Sequence, residues 1–333
     1  MAANMSLNKV HGVPRLLYKI ETSIKNGNYY EAHQMYKTLY FRYLSQKKYV
    51  ELLDLLFEGA TLLLNHDQQA SGVDLANLYI EVLVKSNALP NEEYIKKLSK
   101  LFSLISPGIP ERDNFLSSAV RWSMNAEHKA GDPLLHQAIA QIYWKEKNYV
   151  MARRHFLRSY DGSGFGTMLV ELHRSNGYIA EVDLFIAQVV LQCLCLENKK
   201  TAVITFQCYT TQHPCINMGP PYLLPLLNFI WFLLKAVDSG RLAAFTVLCE
   251  QYQLSIERDP TYTHYLDKIG QIFFGVPPPQ VRPSGFLGNL FHSLMNGLED
   301  CSSSDDEQDP SRVQNRHSIS EASTREVIDN DLD

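Results

Sequence analysis

Apolar residues recur along most of the chain at the three- and four-residue spacing of an amphipathic helix. This spacing continues to Phe274, and no segment shows the sustained alternation of a β-strand. A short hairpin between Cys215 and Met218 is the one β element that the pattern allows. The sequence therefore predicts an all-α protein of about 14 helices. The first predicted helix, residues 9–25, carries six apolar side chains on one stripe: Val10, Val13, Leu16, Leu17, Ile20 and Ile24.

A short motif marks the turn between two helices. In residues 27–36 (GNYYEAHQMY), a glycine reverses the chain, an aromatic ring fills the turn and an alanine lets two helices approach each other. Residues 147–156 (KNYVMARRHF) repeat the motif 120 residues later. That separation is not a multiple of the ~34 residues of a tetratricopeptide repeat. We therefore expect irregular, tetratricopeptide-like antiparallel pairs stacked as an α-solenoid.

The segment from Thr201 to Leu234 contains no Asp, Glu, Lys or Arg. Its last part, Tyr222–Leu234, is apolar, but Pro225 and Asn228 interrupt it, and it is shorter than the ~20 apolar residues that span a membrane. We interpret it as a buried helix that is apolar on every face. A membrane-spanning helix is the alternative, and we predict no direct membrane insertion.

Charge is unevenly distributed over the 333 residues. Residues 1–50 contain eight Lys or Arg and two Glu, a net charge of +6, whereas residues 299–333 contain 11 acidic and three basic side chains, a net charge of −8. A basic surface attracts an acidic partner, but nucleic-acid binding would demand a denser basic stripe. The acidic tail is expected to be disordered, and Ser302–Ser304 precede an acidic run that an acid-directed kinase could recognise.

Two arrangements superficially resemble chemical sites. The glycine-rich segment 161–166 follows a helix rather than a strand and lacks a phosphate-binding lysine, so we interpret it as an inter-helix turn. Cys208, His213 and Cys215 have no fourth partner at a zinc-binding spacing, so we interpret the thiols as buried apolar groups. The histidines are scattered singly, without a nucleophile motif. The sequence predicts no catalytic residue, no metal, no cofactor and no enzyme activity.

The cysteines and the N-terminus indicate a cellular location. The six cysteines lie mostly within apolar helical patterns, as free thiols do in a reducing compartment. The first residues, MAANMS, lack the apolar core of a signal peptide. Together these observations predict a cytosolic protein.

The first two predicted helices carry a candidate interaction surface. Arg15 and Lys19 are four residues apart and share a helix face, and the adjacent pair Tyr29 and Tyr30 adds aromatic contact area. The alternative is that the basic residues here only solvate the outer helix faces. They are Arg15, Lys19, Lys25, Lys37 and Arg42.

Three segments resemble the Golgi-to-ER traffic protein 4 family, whose members are subunits of the transmembrane-domain recognition complex. Residues 27–49 (GNYYEAHQMYKTLYFRYLSQKKY) are similar to the N-terminal helices of the family. Residues 131–159 (GDPLLHQAIAQIYWKEKNYVMARRHFLRS) are similar to its middle, and residues 219–240 (GPPYLLPLLNFIWFLLKAVDSG) to its C-terminal half. The resemblance spans residues 10–298, nearly everything except the acidic tail.

This resemblance implies a non-enzymatic adaptor. Members of the family bridge a co-chaperone that holds new tail-anchored membrane proteins to a cytosolic targeting ATPase, for delivery to the endoplasmic reticulum. The C-terminal half grips a BAG-family chaperone scaffold in animals or a ubiquitin-like protein in fungi. Carried over to this chain, the ATPase-binding surface comprises Arg15, Lys19, Lys25, Tyr29, Tyr30 and Lys37, with Asp74 as a regulatory contact. The scaffold-binding surface lies between Phe229 and Phe274, with Phe245, Tyr252 and Tyr262 as aromatic anchors.

The adaptor function has one alternative. The alternative to the adaptor is a helical-repeat subunit of another cytosolic assembly, such as a proteasome-lid-like particle. Such subunits usually end in a winged-helix module, and no strand pair of that kind is predicted near residues 250–280. The resemblance also implies a division of the chain into five parts. They are a flexible N-terminus (1–8), ATPase-facing repeats (9–160), scaffold-facing repeats (161–279), an apolar tethered segment (280–298) and the disordered tail (299–333).

Overall fold

The computed structural model describes residues 13–217 and 219–278. This part of the chain is all-α, as predicted, and contains fifteen α-helices, one 3-10 helix (Ile179–Glu181) and no strand. Residues 215–217 form a turn and a bend, so the suggested hairpin is wrong for them, and Met218 lies outside the described residues. The α-helices are α1 (Val13–Lys25), α2 (Tyr29–Ser45), α3 (Tyr49–Asn65), α4 (Gln69–Lys85), α5 (Glu92–Leu104), α6 (Pro110–Ser123), α7 (Pro133–Lys145), α8 (Tyr149–Phe156), α9 (Gly162–Asn176), α10 (Val182–Cys195), α11 (Lys199–Gln212), α12 (Pro225–Ser239), α13 (Leu242–Gln251), α14 (Gln253–Ile256) and α15 (Thr261–Phe274).

Four predictions concern residues outside this described part. They are the flexible N-terminus (1–8), the apolar tethered segment (280–298), the acidic tail (299–333) and the candidate phosphorylation site Ser302–Ser304.

One type of turn joins many of the helices. At Gly27 the backbone is left-handed (φ +78°), and the N–H groups of Gly27 and Asn28 return to the carbonyls of Ile24 and Ser23 at 3.0 and 2.8 Å. This hydrogen-bond pair is a Schellman cap, which satisfies the last carbonyls of a helix. The same cap recurs at five non-glycine residues with φ between +52° and +60°: Lys47, Asp67, Asn87, Lys147 and Glu197.

These caps reveal a repeat that the motif search did not find. The first four, at positions 27, 47, 67 and 87, are 20 residues apart, so one helix with its turn is the repeating unit. Most consecutive helices pack on each other, although α4–α5, α11–α12 and α14–α15 do not form close pairs, and α2–α4, α4–α6, α3–α5 and α5–α7 pack as second neighbours. The helices therefore bury their apolar stripes largely against neighbours along the chain, which is the packing of an α-solenoid.

The glycine-rich segment 161–166 is the first turn of a helix, not an inter-helix turn. Asp161 caps α9 by accepting the N–H of Gly164 at 2.7 Å. A Cβ atom at Gly166 would lie 2.7 Å from the Cβ of Cys208, and one at Gly162 would lie 2.9 Å from the carbonyl oxygen of Thr201. The glycines therefore permit the close approach of α9 and α11, and this requirement outweighs their low helix propensity.

The apolar segment at Tyr222–Leu234 includes the first ten residues of α12 (Pro225–Ser239), a helix that is buried on one side only. Leu226, Phe229, Ile230 and Leu233 are fully buried, whereas Phe232 is 44% exposed. The prediction of burial on every face was therefore wrong. Asn228 is the polar residue within this apolar run. Its side chain accepts the N–H of Tyr222 and donates to the carbonyl of Tyr222, both at 2.7 Å. Within the described ranges, no helix combines the length and the apolar character that crossing a membrane requires.

Candidate partner-binding surfaces

The basic face of α1 is open to solvent. Arg15 and Lys19 are exposed. Ile20 is buried, and α1 packs on α2. Neither cation forms an ion pair with any residue that the structure describes. Lys25, in the last turn of α1, is also exposed. Unpaired cations on one face of a terminal helix can attract an acidic partner surface.

The two tyrosines that open α2 have different environments. Tyr29 is half-buried: its hydroxyl lies 3.1 Å from Nδ1 of His66, and the two rings are 5.1 Å apart. It therefore locks the turn before α2 to the turn before α4. Tyr30 is 75% exposed and is the tyrosine whose ring can reach a partner.

Asp74 is the centre of a small charged cluster between α2 and α4. Its Oδ2 atom lies 2.8 Å from Nε2 of His33 and accepts a hydrogen bond from Nζ of Lys37 at 3.1 Å. Burial acts to raise the pKa of this carboxyl, but the hydrogen bonds from Lys37 and His33 outweigh it and leave the pKa below its ordinary value. Asp74 is therefore a partly buried carboxylate that presents one anionic spot within a basic region.

The structure thus brings together part of the predicted ATPase-binding surface. Lys37 and Asp74 are paired, and Tyr30 lies seven residues before Lys37 on the same helix. Arg15 and Lys19 lie on the neighbouring helix α1 and form no ion pair with Asp74. The sequence analysis missed His33, although its spacing of four residues from Lys37 places both side chains on one face of α2.

The three predicted aromatic anchors of the C-terminal half lie mostly in the core. Phe245 is fully buried and its ring stacks on Phe274 at 4.6 Å. Tyr262 is also fully buried, and its hydroxyl donates a hydrogen bond to the carbonyl of Leu184 at 3.3 Å. Only Tyr252 is partly accessible to solvent. Phe245 and Tyr262 therefore support the fold of α13 and α15, because their side chains do not reach a surface.

A different set of apolar side chains in this region is exposed to solvent. These residues lie on or next to α12, α13 and α14, and each is at least 40% exposed: Leu223, Phe232, Leu242, Val247 and Leu254. Sequence periodicity could not separate them from the buried set, because α12 and α13 are apolar on more than one face. Exposed apolar side chains mark a protein–protein contact site where they form a continuous patch.

The candidate zinc residues are used in other contacts. The thiol of Cys208 donates to the carbonyl of Ser163 at 3.3 Å, and Nε2 of His213 lies 2.9 Å from Nδ1 of His173. Cys215 is exposed, so the prediction that its thiol is buried was wrong. Across residues 13–217 and 219–278, no group of three or more His, Cys, Asp or Glu side chains is arranged to hold a metal ion.

The stacked helices define an α-solenoid. The family model of Golgi to ER traffic protein 4 matches residues 46–295, three quarters of the sequence. This chain belongs to the Golgi to ER traffic protein 4 family.

Individual relatives agree with this assignment. The chain is 54% identical to the Golgi to ER traffic protein 4 homolog of Oryzias latipes, over 90% of this chain and 93% of the relative. It is 52% identical to the Homo sapiens homolog, over 90% and 91% of the two chains. The crystal structure of C. therm. Get4 superposes with a TM-score of 0.74 at 25% identity, and covers 89% of this chain and 99% of that one.

Proposed function

We propose that this chain is a non-enzymatic adaptor in the targeting of tail-anchored membrane proteins to the endoplasmic reticulum. Its N-terminal repeats bind the cytosolic targeting ATPase of that route, and its C-terminal repeats bind a BAG-family chaperone scaffold together with a ubiquitin-like protein. The observation that carries the proposal is the unpaired basic face of α1, which lies at one end of the chain. The exposed apolar side chains lie in the helices towards the other end.

Two properties support this division of labour. Exposed cations favour rapid, salt-sensitive association, which suits an ATPase that must bind and leave. An apolar surface favours a longer-lived complex, which suits a permanent partner. Within the basic region, Asp74 is the proposed regulatory contact, because a partner cation could compete with Lys37 for its carboxylate.

The cysteines support action in the cytosol. Cys193, Cys195, Cys208, Cys215 and Cys249 are free thiols. Burial raises the pKa of Cys193 to about 12, so this thiol stays protonated and unreactive at neutral pH.

A binding experiment with the full chain tests the proposal. The variant Arg15→Glu/Lys19→Glu should weaken binding to the purified ATPase about tenfold or more and leave binding to the BAG-family scaffold unchanged. The variant Val247→Asp/Leu254→Asp should give the opposite result, because both apolar side chains are more than half exposed in the proposed scaffold-binding half. Isothermal titration with each partner measures the two affinities.

A matched control uses two other lysines. Lys96 and Lys145 are exposed on α5 and α7 and, within the described part, form no ion pair. Lys96→Glu/Lys145→Glu changes the net charge by the same amount and should bind both partners normally. Equal loss of both partners in the α1 variant, or turnover of a small substrate by the purified chain, would refute the adaptor proposal.

A further inference from the structure

A groove opens between α6 and α8 in the middle of the chain. Its volume is about 570 Å³, and its walls are one face of α6 and one face of α8 with the turn that follows it, while Ala130 of the α6–α7 loop and His136 of α7 complete the lining. The second-neighbour helices α2–α4 and α4–α6 pack directly on each other, but α6 and α8 do not form a close pair. The groove therefore exists because the regular packing of this layer is interrupted at one place.

Three arginines line this groove. Arg121 comes from α6, Arg154 from α8, and Arg158 from the turn after α8. The guanidinium of Arg158 donates a hydrogen bond to the carbonyl of Arg154 at 2.9 Å, so the side chain of Arg158 is held against the backbone of Arg154. Burial and the nearby charge of Arg154 lower the pKa of Arg158. Like charges four residues apart destabilise a helix end, and an anionic ligand would relieve the repulsion.

The arginines are not neutralised by the protein itself. Among the residues that the structure describes, none of the three forms an ion pair, although Asp113 also lines the groove. The two lining histidines, His136 and His155, do not add charge, because burial lowers the pKa of both. Counting Asp113 against three arginines leaves the groove with a net charge of +2.

The remaining lining residues make part of the groove apolar. Leu116 is buried, Val120 is half-buried and Met124 is 45% exposed, all on the α6 side, and Met151 faces them from α8. A site with an apolar floor and cations at its rim fits a ligand that carries carboxylates next to an apolar side chain.

We propose that the groove between α6 and α8 binds an acidic peptide segment of a protein partner. Carboxylates of the segment pair with Arg121, Arg154 and Arg158, and one of its apolar side chains packs on Leu116 and Met124. This site lies between the two partner surfaces described above, and does not depend on the function proposed for them.

The composition of the groove favours a peptide over a nucleic acid. Its lining contains no Trp, Tyr or Phe on which a base could stack. Three arginines are also too few for the continuous basic stripe that tracks a phosphate backbone.

Fluorescence anisotropy with the full-length chain tests the proposal. The probe is a short fluorescein-labelled peptide of repeated Asp-Glu-Leu, and the comparison peptide is the same sequence with Asn and Gln in place of the acids. We expect binding of the acidic peptide that weakens as salt increases, and at least about tenfold weaker binding of the neutral peptide.

Substitutions at exposed positions locate the site. Arg121→Glu/Arg154→Glu should reduce the affinity for the acidic peptide about tenfold or more, whereas Arg121→Lys/Arg154→Lys should retain most of it because the charge is kept. Both arginines are exposed, so the variants should keep the wild-type melting temperature. Met124→Ser tests the apolar floor and should weaken binding several-fold, and Lys96→Glu/Lys145→Glu is the charge-matched control.

Four results would overturn the proposal. They are equal binding of the acidic and neutral peptides, unchanged binding by Arg121→Glu/Arg154→Glu, displacement of the peptide by single-stranded poly(U) at lower concentration than by unlabelled peptide, and tighter binding to phosphatidylserine vesicles than to the peptide.

Discussion

His213 donates a hydrogen bond from Nε2 to Nδ1 of His173 over 2.9 Å, at the junction of α9 and α11. The neighbouring groups fix this direction. Nδ1 of His213 accepts the N–H of Cys215 at 3.2 Å, so its proton is on Nε2. Nε2 of His173 donates to the carbonyl of Tyr178 at 2.9 Å, so its Nδ1 is free to accept. Both rings are buried and must be neutral for the pair to form.

We predict that this histidine pair makes the protein unstable in mild acid. Burial is the main cause that lowers the pKa of His213 from 6.5 to about 4, and the proximity of His173 and Arg174 acts in the same direction. The folded state therefore binds fewer protons than the unfolded state between these values, and stability is lost as pH falls from 6.5 towards 4. The loss from His213 alone should reach about 2 kcal/mol at pH 5, measured by urea unfolding across this pH range.

Two variants separate this effect from general acid unfolding. His213→Asn should be less stable at pH 7 but should show a flatter dependence on pH between 6.5 and 4. His264 is exposed and serves as the matched control, so His264→Asn should follow the wild-type profile. A wild-type stability that does not change over this window would contradict the prediction.

The Asp74 cluster predicts a carboxyl whose pKa depends on its partners. In the wild type the pKa should lie below its ordinary value of 3.8, because the hydrogen bonds from Lys37 and His33 outweigh burial. In the double variant His33→Ala/Lys37→Met only burial remains, and the pKa should rise above 3.8. Carbon-13 NMR titration of labelled aspartates measures both values. Lys25→Met removes an exposed lysine and should leave the Asp74 titration unchanged; a shift of equal size there would contradict the assignment.

Gly166 predicts a packing limit between α9 and α11. An alanine there would place its Cβ 2.7 Å from Cβ of Cys208 and 3.0 Å from the carbonyl oxygen of Thr205. Alanine favours a helix over glycine by about 1 kcal/mol, but overpacking costs about 1–3 kcal/mol and more against rigid backbone. We therefore expect Gly166→Ala to lower the free energy of unfolding by about 1–2 kcal/mol.

The exposed neighbour Ser163 provides the control for this substitution. Ser163→Ala adds no atom against α11 and should change stability by less than about 0.5 kcal/mol. Urea denaturation compares the two variants. An unchanged or higher midpoint for Gly166→Ala would show that α9 and α11 can move apart without loss.

The Schellman caps predict a stabilising substitution. Lys47 has φ +55° and is exposed, and its side chain forms no ion pair with the residues that the structure describes. A left-handed conformation costs a non-glycine residue about 1–2 kcal/mol, and glycine removes this strain at some entropic cost. Lys47→Gly should therefore raise the free energy of unfolding by about 0.5–1 kcal/mol.

The preceding residue serves as the control for the Lys47 variant. Gln46 has φ −87° and gains nothing from glycine, so Gln46→Gly should be destabilising by about 0.5–1 kcal/mol. Thermal unfolding of both variants measures the difference. A Lys47→Gly protein that melts below the wild type would show that the turn is not strained.

The apolar spacing of the sequence determined the all-α class and the sequence of stacked helices, because helix periodicity is local and repeats along the chain. The sequence also determined the unequal distribution of charge along the chain. It determined the basic face of α1 as well, since Arg15 and Lys19 are four residues apart and therefore share one side of the helix. The 20-residue repeat was present as well. It was hidden because only Gly27 among its first four caps is a glycine, while Lys47, Asp67 and Asn87 adopt the same backbone.

Only the tertiary structure decided which of several apolar faces is buried. Phe245 and Tyr262 are in the core while Phe232 and Leu254 are exposed, and all four belong to helical patterns that look alike in sequence. The same is true of the pairings of Asp74 with Lys37 and of His213 with His173, and of the close approach of α9 and α11 at Gly166. These relationships join residues about 40 positions apart, and their geometry depends on how neighbouring helices are stacked, which local periodicity does not specify.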